Sequence, residues 1–88
     1  MIVRLLLWRL DAAGAALEDV LDRLDELEPL EPPSTWLVNE PGERVGALLV
    51  AEDDETPPQV AELRTTIGRE PDLYEEFDAW GREGRGWT

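Results

Sequence analysis

The sequence predicts an α+β domain in which two helices cover one face of a four-stranded antiparallel sheet. Three observations predict it. Residues 2–10 (IVRLLLWRL) and 44–52 (RVGALLVAE) are apolar on both alternating sides, as strands covered on two faces are. Residues 15–27 and the stretch after Thr56 carry apolar residues at helical spacing. These segments follow one another as β-α-β-β-α, and one more stretch with large apolar residues comes last.

The first strand presents Val3, Leu5 and Leu7 on one side. The other side carries Ile2, Leu6, Trp8 and Leu10, interrupted by Arg4. Residues 11–14 (DAAG) read as a loop with Asp11 as a helix N-cap. In residues 15–27, Leu17, Val20, Leu21, Leu24 and Leu27 fall three and four apart and form one stripe. The opposite face is acidic, and the carboxylates near its C-terminal end oppose the helix dipole. Packing of the leucine stripe must therefore hold this helix. Pro29, Pro32 and Pro33 end it and favour an extended connector.

Residues 35–40 (TWLVNE) read as a strand, 41–43 (PGE) as a turn and 44–52 as the returning strand of a hairpin. Thr56, Pro57 and Gln59 match N-cap, N1 and N3 of a capping box. The helix they open carries Val60, Leu63 and Ile67 on one stripe, with Gly68 at the C′ position. Residues 72–80 (DLYEEFDAW) admit two readings. As a strand, Leu73 and Phe77 share one side and Tyr74 and Trp80 the other; as a helix, Leu73, Phe77 and Trp80 share a stripe. The periodicity alone slightly favours helix. Residues 81–88 are expected to be a flexible tail, with Trp87 as a docking residue.

A strand at residues 72–80 completes βαββαβ, the split βαβ or ferredoxin-like arrangement, over residues 1–80 as one domain. Two helices cover one face of such a sheet. The second apolar side of the two long strands is left bare, and a bare patch of that kind marks an interface. A homodimer packed sheet to sheet is the economical solution.

Composition narrows the chemistry. The formal net charge is −13 over 88 residues, beyond the magnitude of roughly 2–8 usual for a small domain. Such a surface repels nucleic acid and anionic lipid. All eight basic residues are arginine, a bias of GC-rich bacterial or haloarchaeal genomes. The acidic excess fits a high-salt cytoplasm, or simply an acidic soluble protein. With no cysteine and no histidine, the chain lacks a thiol nucleophile, a disulfide, and the commonest general base and metal ligand. The first apolar run is far shorter than the roughly 20 residues of a membrane span. It also lacks a signal peptide's layout, so a cytoplasmic location is expected.

The layout, the length and residues 67–80 (IGREPDLYEEFDAW) resemble the dimeric α+β-barrel superfamily, which includes antibiotic-biosynthesis monooxygenase-like proteins. In that superfamily the second helix is often followed by a short Gly- and Pro-containing loop and a final strand with an aromatic residue. The resemblance covers about residues 1–80 at the level of fold. It implies a pocket between sheet and helices that positions an activated phenolic substrate without a cofactor. The matching residue types here are Arg4, Trp8, Trp36, Asn39 and Tyr74. Together they would bind an anionic aromatic ligand. The structural alternative makes Trp8 and Trp36 core or interface residues, Asn39 the opening of the hairpin turn, and Arg4 an interface or surface arginine. Haem degradation of the kind some relatives perform needs a histidine ligand and is excluded.

The remaining candidates are weak. Residues 52–55 (EDDE) lack the spacing and glycine of an EF-hand loop and read as a solvated acidic run before a helix, so no metal site is expected. Glu75 and Glu76 are adjacent and point apart in a strand, so they form no catalytic dyad. Ser34 has no histidine to activate it. The sequence thus favours a homodimeric binding or accessory protein without catalysis, with no cofactor. An oxygenase or cyclase acting on an aromatic polyketide-like substrate comes second. An acidic decoy for a basic protein comes third.

Overall fold

The computed structural model describes residues 1–53 and 55–78. Asp54 and the expected tail, with Trp80 and Trp87, lie outside them. Four strands, β1 (Ile2–Arg9), β2 (Thr35–Asn39), β3 (Arg44–Ala51) and β4 (Leu73–Asp78), form one antiparallel sheet in the order β2-β3-β1-β4. The helices are α1 (Leu10–Ala13), α2 (Leu17–Glu26) and α3 (Pro58–Ile67). The arrangement is an α+β fold compatible with a ferredoxin-like one. The two strands with apolar residues on both sides, β1 and β3, are the central pair, running Ile2↔Ala51 to Arg9↔Arg44.

One side of the sheet is sealed by the helices. Leu6 and Trp8 of β1 and Val45, Ala47 and Leu49 of β3 are buried there. Val20 of α2 and Val60, Leu63 and Ile67 of α3 pack over them, with Leu27 and Leu30 closing the margin. These twelve buried residues, Leu10 included, are the core. At the surface, Arg23 and Glu62 join α2 to α3 at 3.2 Å, an exposed pair worth about 0–1 kcal/mol.

Several local features differ from the sequence reading. Residues 11–14 are not a plain loop. Leu10 to Ala13 wind one helical turn, closed by Gly14 at φ 70° and a bond from Ala15 N–H to the Leu10 carbonyl. Asp11 therefore sits inside that turn, 3.6 Å from Arg9, and caps nothing. Helix α2 starts two residues later than periodicity suggests, because Ala16 is extended. Helix α3 starts one residue late: Pro57 holds the N-cap position and no side chain caps the helix. Thr56 is spent elsewhere, accepting a hydrogen bond from Arg4.

Residues 73–78 are a strand. Helical periodicity is overridden here by an open edge of β1. Six consecutive residues pair with Leu7 through Ile2, so the segment gains a ladder of backbone partners.

Candidate functional site

The sheet has a second side, and none of the helices among the described residues lies on it. Side chains alternate along a strand, so the registers fix which residues share that side. Three apolar rows cross it. The first holds Leu37, Gly46, Leu7 and Leu73; the second Thr35, Leu48, Leu5 and Glu75; the third Val50, Val3 and Phe77. A fourth row at one end holds Asn39, Arg44 and Arg9.

The helix-free side is apolar in its middle. Val3, Leu5, Leu7, Leu37, Leu48 and Val50 are only half-buried. Leu73 is 41% exposed and Phe77 45%. Strand spacings of about 4.8 Å and rises of about 3.3 Å per residue give these three rows a plane of roughly 350 Å². Patches of that size on a monomer are often functional. The two sides of β1 therefore do different work: Leu6 and Trp8 build the core, while Val3, Leu5 and Leu7 build the patch.

Gly46 is what lets the patch lie flat. It is buried within β3, and a Cβ there would run into the Leu6 carbonyl oxygen and lie 2.6 Å from Leu7 Cδ2. Leu7 thus folds over the backbone of β3. Glycine inside a strand often marks such a close approach.

The five residues singled out from sequence do not meet in one cavity within the protomer. Trp8 is fully buried under the helices, and its Nε1–H donates to the Arg69 carbonyl at 2.9 Å. It is a core residue, which corrects its placement as a pocket or interface residue. Arg4 is 4% exposed, so it is neither a surface nor an interface arginine. Its guanidinium donates to Thr56 Oγ1 at 3.0 Å and to the Glu55 carbonyl at 2.5 Å, which pins the segment entering α3.

Trp36 packs on the helix-covered side at the edge of the core. Asn39 lies at the end of β2 on the opposite side, and its Oδ1 accepts from Gly42 N–H at 3.0 Å, closing the hairpin. Tyr74 stands 52% exposed on β4.

A cleft of about 370 Å³ lies elsewhere. It opens where the proline connector passes the end of β3 and the start of α3, between Glu31, Ser34, Ala51, Glu55 and Pro57. Ser34 is engaged structurally: its Oγ accepts from Val50 N–H at 2.9 Å. A smaller hollow of about 180 Å³ lies at the end of the apolar patch, between Leu7, Leu37, Val38, Asn39 and Arg44.

What sequence reasoning missed are the contributions of the edge strands to the patch: Leu37 from β2, and Leu73 and Phe77 from β4. Alternation within each strand was readable, but the register against β1 and β3 was needed to put them on the same side. Comparison with models of known protein families and with curated protein sequences gives no match.

Proposed function

We propose that this chain is a small acidic binding or accessory protein that works as a homodimer, two copies packing sheet to sheet, without catalysis of its own. One observation carries the reading: the apolar, helix-free side of the sheet centred on Leu5 and Leu48. Leaving such a surface in water forgoes about 25 cal/mol for every Å² that a partner would cover. A second copy offers a surface of the same shape and polarity. The ferredoxin-like arrangement supports the same reading, because its helices cover only one side of the sheet.

The non-catalytic part rests on residue chemistry. The chain has no histidine and no cysteine. Arg4 and Asn39, the polar groups best suited to orient an anionic substrate, hold the fold instead: one anchors the start of α3, the other closes a turn. An oxygenase or cyclase acting on an aromatic substrate is the weaker reading for that reason.

The test is Leu5→Glu, which puts a carboxylate in the middle of the patch. A folded monomer by light scattering and circular dichroism is the expected result. A variant that stays dimeric would remove the patch from the interface.

A further inference from the structure

The helix-free side carries three ionisable residues within its strands: Arg9, Arg44 and Glu75. Arg9 and Arg44 are direct cross-strand partners. Like charges so placed repel one another. Asp11 lies 3.6 Å from Arg9 and is half-exposed, and among the described residues Arg44 has no ion pair. Arg9 thus has a carboxylate at hand, and Arg44 brings the uncompensated positive charge to this end of a protein whose net charge is −13. Glu75 is the carboxylate of this face. It pairs with Leu5, four residues along β1 from Arg9, so it stands about 13 Å from the arginine row and beyond its reach.

We infer that in the dimer Glu75 of each copy answers the Arg9–Arg44 pair of the other. This rests on the proposed sheet-to-sheet dimer and specifies its geometry. A two-fold interface repeats every contact, so one Arg–Glu pairing becomes two at opposite rims of the same apolar centre. The pairing also selects the angle. A two-fold axis along the strands stacks arginine row on arginine row. An axis across the strands through the Leu5 row sets Glu75 on its own copy. Only a steep crossing carries the end of one sheet over the β4 edge of the other, and near-perpendicular packing is one of the two stable classes for stacked sheets. The occupant is therefore a second copy, recognised by charge complementarity at the rim of an apolar centre.

Charge exchange tests it in the intact chain. Arg44→Glu and Glu75→Arg should each raise the dimer dissociation constant by about tenfold or more, and the double variant should recover much of the loss. Strictly additive losses would overturn the pairing while leaving the dimer in place. A wild-type chain that is monomeric would overturn the dimer and the pairing together. The absence of cysteine permits a second readout. Arg44→Cys combined with Glu75→Cys should yield covalent dimers with a short bifunctional maleimide. Efficient coupling of either single-cysteine variant to itself would instead establish one of the aligned geometries and contradict this one.

Discussion

Arg4 and Thr56 stand 52 positions apart in the chain, yet the Arg4 guanidinium donates to the Thr56 hydroxyl at 3.0 Å. The contact joins the middle of the sheet to the entrance of α3. It explains two departures from the sequence pattern at once: a buried charge on a core-facing position, and a threonine that does not cap its helix. A buried charge needs bonded donors: Thr56 and the Glu55 carbonyl take the two terminal nitrogens of Arg4, while its Nε has no partner among the described residues.

Thr56→Val keeps the shape and removes the acceptor. The loss should be about 1–2 kcal/mol, because a buried guanidinium donor is left unpaired. Urea unfolding at constant m value measures it. No loss at all would mean that the Glu55 carbonyl alone holds Arg4.

Trp8→Phe separates packing from hydrogen bonding in the core. It removes the Nε1–H that reaches the Arg69 carbonyl and leaves a gap beside it. A cost of about 2–3 kcal/mol is expected from the unmet carbonyl and the lost contacts. Trp8→Glu should unfold the chain outright rather than separate folded protomers. A folded monomeric Trp8→Glu variant by circular dichroism and light scattering would contradict the core assignment.

Gly46→Ala tests the close approach of β1 to β3. The added methyl meets the Leu6 backbone as well as the Leu7 side chain, and backbone cannot swing aside. Destabilisation of about 1–3 kcal/mol or more should appear in thermal unfolding, as for other overpacked sites. A neutral result would mean that the central strands can move apart.

Glu43→Gly should stabilise. Glu43 takes φ 50° in the hairpin turn, while the glycine beside it at position 42 does not use its freedom. The left-handed conformation costs a side-chain-bearing residue about 1–2 kcal/mol, offset in part by the entropy that glycine adds to the unfolded chain. A rise of a few degrees in Tm is the expected outcome.

Much of the fold was legible in single stretches. Both-sided apolarity marked β1 and β3 as strands, which the register then placed at the centre, and the Leu17–Leu27 and Val60–Ile67 stripes marked the two long helices. What could not be read locally was set by partners distant in sequence. Residues 73–78 became a strand because β1 offers an unpaired edge. Thr56 left its capping role because Arg4 needed an acceptor. Trp8 could be assigned to core or patch only once the helices had chosen a side. The patch itself was half legible: Val3, Leu5 and Leu7 were visible as a second apolar side, whereas Leu37, Leu73 and Phe77 joined it only through register.

The central claim is that the Leu5–Leu48 side of the sheet is covered by a second copy. Sedimentation equilibrium of the unmodified chain at micromolar concentration tests it most directly. The account predicts a species of twice the 9.9 kDa chain mass that dissociates on dilution or on Leu5→Glu substitution. A single species at 9.9 kDa across that range would contradict it.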